Sequence, residues 1–117
     1  MKTEEIANQL VALLKQGNFE GAQRELFHSD VVSTEPQKVN LPQTKGLDKI
    51  LEKGAQFRES VEAWNGISVS EPNISMNHFS IALKVDLTFK GQEPSSMDEI
   101  IVYEVVDGKI VNEVFYY

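Results

Sequence analysis

Apolar residues in the first part of the chain recur at helical steps. Between Thr3 and Gln16, the residues Ile6, Leu10, Leu13 and Leu14 repeat every three or four positions with Ala7 and Val11 beside them, which predicts an amphipathic helix. Thr3 stands where a cap is expected, Glu4 and Glu5 fall in the first turn, and Gly17 can take the left-handed stop. Asn18 is placed to cap a second, shorter helix whose Phe19, Ala22, Leu26 and Phe27 share a face. The run Val31 to Glu35 is β-rich and closed by Pro36, which disfavours helix at the residue before it. Residues 36–46 hold two prolines and a glycine with little periodicity, so a surface loop is expected, placed to act as a rim or lid. A third helix is predicted from Leu47 to Trp64, with Ile50, Leu51, Phe57, Val61 and Trp64 on one broad side and Asn65-Gly66 as its end.

Beyond Gly66 the period changes to two. Ile67 and Val69, then Phe79, Ile81, Leu83, Val85, Leu87 and Phe89, alternate with polar or small residues and predict a long strand with one apolar face. A turn at Gly91–Pro94 leads into a strand from Ser96 to Val106, and Asp107-Gly108 forms a two-residue hairpin before a last strand from Lys109 to Tyr117. Helices first and strands afterwards predict one α+β domain over residues 1–117, with the helices packed on one face of an antiparallel sheet. The strand 96–106 is apolar on both sides: Ile101, Tyr103 and Val105 face one way, Ile100, Val102 and Val106 the other. The last strand repeats this, with Val111 and Phe115 opposite Ile110, Val114 and Tyr116. Two apolar faces call for a second covering surface, and a homodimer through the outer sheet face is expected; loops of the same chain are the alternative cover.

Charge and composition narrow the partners. Eleven Lys and Arg against eighteen Asp and Glu leave a net charge of −7, which repels phosphate backbones and anionic lipid surfaces, so neither nucleic acid nor membrane is an expected partner. The absence of Cys removes thiolate metal sites and Cys nucleophiles. The first residues, MKTEEIANQL, carry acids where a secretory signal needs positive charge, and a cytoplasmic location is the expectation. His28 and His78 lie fifty residues apart with no metal-ligand spacing, and no Gly-rich phosphate loop or Gly-x-Ser-x-Gly elbow occurs. Neither a metal nor another cofactor is expected.

The order helix, helix, short strand, helix, long strand and hairpin carries several local motifs. They are Leu13 to Gly21 (LLKQGNFEG), His28-Ser29-Asp30-Val31-Val32 with Glu35-Pro36, Lys45 to Ile50 (KGLDKI), and Asp107 to Val111 (DGKIV) running to Phe115-Tyr116-Tyr117. Together they resemble the nuclear transport factor 2-like superfamily, and within it the SnoaL-like and ketosteroid isomerase-like branch, over nearly the whole chain. The resemblance implies a cone-shaped, cystatin-like fold in which a curved sheet wraps around the helices and leaves an apolar pocket at its wide end. It also places Glu35, just before Pro36, at the position of the proton-shuttling base of ketosteroid isomerase-like enzymes. The same carry-over puts Leu10 at the position of the tyrosine donor and Ile101 at that of the protonated aspartate. Neither side chain donates a hydrogen bond, and losing even one oxyanion donor typically costs on the order of a hundredfold in rate.

If Ile101 faces the pocket, alternation turns Glu99, Tyr103 and Val105 the same way, and cross-strand pairing adds Val111, Glu113, Phe115 and Tyr117. Glu113 would then be a carboxylate on an apolar face, its pKa raised by burial, able to serve acid/base chemistry opposite Glu35; a one-residue register shift would put it in water instead. Glu35 is also accounted for as a solvated acid at a strand end. Tyr103 and Tyr117 offer hydroxyls to a ligand, and Phe57 and Trp64, with Leu10 and Ile101, would line the pocket; plain core packing accounts for these side chains equally. The expected function is binding of a small hydrophobic molecule in the cone. An isomerase, cyclase or dehydratase using Glu35 as general base is the alternative, and a protein-binding module the third reading.

Overall fold

The computed structural model describes residues 1–117, and its elements follow in the order α1 (Thr3–Lys15), α2 (Phe19–Leu26), β1 (Phe27–Thr34), β2 (Gln43–Lys45), α3 (Leu47–Glu59), β3 (Val61–Val69), β4 (Asn73–Ile74), β5 (His78–Phe89), β6 (Pro94–Val106) and β7 (Lys109–Tyr116). The strands form one curved sheet in the order β2-β1-β7-β6-β5-β3, with β4 added on β5. Every pairing is antiparallel except β1 with β7, which run parallel, so the sheet is mixed where sequence pattern predicts a wholly antiparallel one. The parallel pair arises because α2 passes directly into β1: Phe27 ends the helix in extended conformation and opens the strand, four residues earlier than expected. No helix is long and apolar enough to cross a membrane.

The helices bury the stripe their spacing predicts. Ile6, Ala7, Leu10, Val11 and Leu14 of α1 and Ala22 and Leu26 of α2 join the inward faces of β5 and β6 in one core. The α1–α2 turn closes through Gly17 at φ +74°, with the Gly17 N–H donating to Leu14 O at 2.9 Å and the Asn18 N–H to Leu13 O at 2.9 Å. Asn18 caps α2 by accepting from the Gly21 N–H at 2.9 Å. Thr3 does not cap α1. It is the first helical residue, and its hydroxyl donates to Met76 O at 2.8 Å, while the Glu5 carboxylate accepts from the Lys2 N–H at 3.1 Å.

The third helix is shorter than its apolar side implies. It stops at Glu59, where Ser60 folds back so that its hydroxyl reaches Phe57 O at 2.6 Å, and Val61 to Val69 continue as a strand on β5. Trp64 therefore lies on β3 and not on α3, and Asn65-Gly66 marks a register shift within that strand in place of a helix end. Ladder hydrogen bonds to β5 outweigh the helical spacing of Val61 and Trp64, whose side chains favour strand in any case. The expected loop 36–46 contributes β2, which pairs with β1 from Val32–Lys45 to Thr34–Gln43.

Asp107 and Gly108, at φ +50° and +78°, make the two-residue hairpin between β6 and β7. A shift between Glu104 and Val105 then puts Val105 opposite Ile110. Ile110 is fully buried as a result and Val111 only partly, reversing the expectation for that pair. Above the shift the inward set is the expected one: Ile101 faces Phe115, and Tyr103 faces Glu113.

Candidate functional site

At the wide end the helices and the sheet diverge and leave a cavity of about 220 Å³, lined by 23 residues of which 15 are hydrophobic. The sheet side is set by strand parity. β6 turns Met97, Glu99, Ile101 and Tyr103 inward, β7 turns Glu113 and Phe115, with Tyr117 just beyond its end, and β1 supplies Ser33 and the following Glu35. Leu10 comes from α1, Phe19 from α2, Lys53, Phe57 and Arg58 from α3, and Trp64 from β3.

Polar groups cross this apolar surface in one row. Ser33 pairs with Glu113 across the parallel β1–β7 contact, and Glu113 with Tyr103 across β7–β6. The Ser33 hydroxyl donates to Glu113 Oε1 at 2.9 Å. Burial pushes the Glu113 carboxyl up to about 7; hydrogen bonds from Ser33 and Tyr103 pull the other way, and the charges of Glu35 and Glu99 add to the rise. Burial pushes Glu99 up to about 7 too, helped by the neighbouring Glu35 and Asp98. Tyr103, fully enclosed and facing Glu113, is held well above the ordinary phenol range, so it stays a neutral donor. The cavity wall thus holds two carboxyls that exchange protons near neutral pH.

A second polar group closes the rim. The Tyr117 hydroxyl donates to Glu35 Oε2 at 2.8 Å, and burial together with that contact pushes its pKa up to about 12. Lys53 Nζ lies 3.8 Å from Glu35 Oε1, and Lys38 Nζ sits 5.1 Å over the Tyr117 ring. Aromatic rings continue the wall: Trp64 stacks on Phe19 at 6.2 Å between centroids and leans on Phe57 at 6.2 Å.

All eight residues singled out from the sequence, Glu35, Glu113, Leu10, Phe57, Trp64, Ile101, Tyr103 and Tyr117, line this one cavity. Glu113 is 6% exposed, so the register that would have put it in water is not the one adopted. Tyr103 is both wall and core, since its ring also stacks on Phe79 at 4.8 Å. Leu10 and Ile101 offer no hydrogen bond, but Tyr103 and a protonated Glu113 supply donors at neighbouring inward positions. Five polar lining residues, Gln23, Ser33, Lys53, Arg58 and Glu99, were given no role from the sequence. Glu99 shares the parity of Ile101, which was a usable signal, whereas Ser33 and Lys53 reach their partners across 80 residues and across a loop, and no local pattern announces such contacts. No group of three or more His, Asp or Glu side chains is arranged to hold a metal ion.

Helices wrapped by a strongly curved sheet around a cavity open at one end define the nuclear transport factor 2-like, or cystatin-like, class of proteins. The sequence model of the SnoaL-like domain matches residues 1–117, and the chain belongs to that family. A candidate SnoaL-like polyketide cyclase from Mesorhizobium loti is 34% identical, with a TM-score of 0.93 and all of both chains covered. A protein with a cystatin-like fold from Xanthomonas campestris shares 18% identity at a TM-score of 0.81, covering 99% of this chain and 90% of its own. A ketosteroid isomerase-like fold from Catenulispora acidiphila, solved in complex with trimethylamine, shares 17% at a TM-score of 0.76, covering 98% and 86%. No curated protein sequence matches the chain.

Proposed function

We propose that this protein binds a compact, largely apolar molecule in the cone cavity. The observation that carries this reading is the cavity itself: 15 of its 23 lining residues are hydrophobic, and its acidic groups converge from the adjacent strands β6 and β7 and from the residue just past the end of β1. At about 220 Å³ it falls below the roughly 300–1,000 Å³ typical of sites for drug-sized ligands. It exceeds the roughly 150 Å³ that admits one benzene ring. A ligand of one or two rings fits these limits better than a four-ring steroid. A thermal-shift series of mono- and bicyclic aromatics tests the reading, since ligand at a hundred times its Kd adds about 2.7 kcal/mol of stability. No shift with any of them counts against a ligand site and leaves the protein-binding reading.

The catalytic alternative is an isomerase, cyclase or dehydratase acting on a carbonyl compound, with Glu35 as general base. The carboxyls of Glu99 and Glu113 favour it, because their pKa near 7 suits proton transfer at neutral pH. Any turnover found should then be lost in Glu35→Gln, and an unchanged rate removes that residue from the mechanism.

The outer sheet face supports a second copy of the chain as partner. Ile100 pairs with Tyr116 and Val102 with Val114, a continuous apolar patch in which Ile100 is 47% and Tyr116 57% exposed. Sedimentation is expected to give a dimer that Val102→Asp converts to monomer. A monomeric wild type at micromolar concentration counts against the proposal.

A further inference from the structure

The charges facing the cavity do not balance. Glu35, just past the end of β1, and Glu99 and Glu113, on β6 and β7, face it, and the only cations that do so are Lys53 and Arg58 of α3. Lys53 is half exposed and 3.8 Å from Glu35, while Arg58 is turned to Glu20 at 3.1 Å. Tyr103 and Tyr117 are the remaining titratable groups, and α1, α2, β3 and β5 present only apolar or uncharged side chains.

Glu99 is the odd member. It is 8% exposed and aimed into the cavity, yet no hydrogen bond or ion pair holds it, whereas Glu35 has Tyr117 and Lys53 and Glu113 has Ser33. The carboxylate oxygens of Glu99 still reach the open cavity, but a carboxyl withdrawn this far from bulk water without a partner is costly, and the protein by itself gives Glu99 nothing that offsets its position. An apolar ligand without charge would strip it of its remaining water, and an anion would be repelled by all three acids. A cation supplies the missing partner and finds aromatic faces as well, Trp64 of β3 and Phe57 of α3 in the same cavity.

We infer that the ligand is a compact hydrophobic amine bound as its cation, the nitrogen beside Glu99 and Glu113 and the apolar body against Phe57 and Trp64. This rests on the ligand-binding reading above and gives that ligand a charge. Because burial and neighbouring negative charge raise the affinity of Glu99 and Glu113 for protons, a bound cation acts in the opposite sense, and binding releases protons near neutral pH.

Three probes of one shape and different charge test the inference: benzylamine, benzyl alcohol and benzoate, titrated against the wild-type protein by NMR at pH 6 and pH 8. Benzylamine is expected to bind at least about tenfold more tightly than benzyl alcohol at pH 8, with benzoate weakest. Its affinity should rise about tenfold from pH 6 to pH 8 as carboxyls of pKa about 7 ionise. Glu99→Gln should narrow the ratio between amine and alcohol by about tenfold. Benzyl alcohol or benzoate binding as tightly as benzylamine at pH 8 overturns the charge of the ligand and leaves the cavity reading intact. No binding of any probe at tens of millimolar overturns both, and neither outcome depends on the variant folding.

Discussion

One strand, β6, passes through both ends of the cone, and the two ends treat its inward side chains differently. Toward the narrow end Tyr103, the last of them to touch the cavity, stacks on Phe79 at 4.8 Å, and beyond it Val105 is buried beside the buried Ile110. At the wide end Met97, Glu99 and Ile101 face the cavity. The alternation is the same throughout; what differs is whether another side chain arrives to fill the space. Packed cores lose dispersion contacts when atoms are removed, whereas the lining of a hollow has already forgone them. The hollow end is therefore where acids can sit on an inner face, at an energetic cost the narrow end offsets.

That contrast predicts unequal costs for similar truncations. Phe79→Ala, at the packed end, should destabilise the fold by about 3–5 kcal/mol in urea denaturation. Phe115→Ala, on the partly exposed cavity wall, should cost about 1 kcal/mol. Equal losses would mean that the wide end is packed as tightly as the narrow one. Next in size is the effect of the buried acid. Because Glu113 has a higher pKa folded than unfolded, the native state holds its proton more tightly, and stability falls as pH rises from 4.5 to about 7. Glu113→Gln should remove about 3 kcal/mol of that decline, read as a flatter line of stability against pH between 4.5 and 8. An unaltered slope would place the burial cost elsewhere. The smallest change expected is Tyr117→Phe, which deletes the hydroxyl bonded to Glu35 at the half-exposed rim and should cost about 0.5–1.5 kcal/mol. A larger loss would show that the rim contact closes the cone and does not merely decorate it.

The regions that sequence pattern describes well are those where local and long-range preferences agree. The stripe of α1, the Asn18 cap, the alternation of β5 and the Asp107-Gly108 turn all appear as expected. Disagreement falls where the chain had two workable periods. Phe57, Val61 and Trp64 fit a helical side as well as Val61, Ala63 and Ile67 fit a strand, and only the free edge of β5 decides between them. The shift at Glu104 that exchanges Val111 for Ile110 has no local signature either. Glu113 lies above that shift, and its parity, with that of Glu99, could be read from Ile101.

By itself the sequence determined the family, the helical and strand periods, and which residues of β6 and β7 share a face on the cavity side of the shift at Glu104, because these depend on neighbours along the chain. The tertiary structure alone decided that β1 runs parallel to β7, that Ser33 and Tyr103 flank Glu113, and that Glu99 stands in a hollow without a partner. Those facts depend on how the sheet curves and on where the helices stop short of filling it, which is a property of packed volume and not of spacing along the chain.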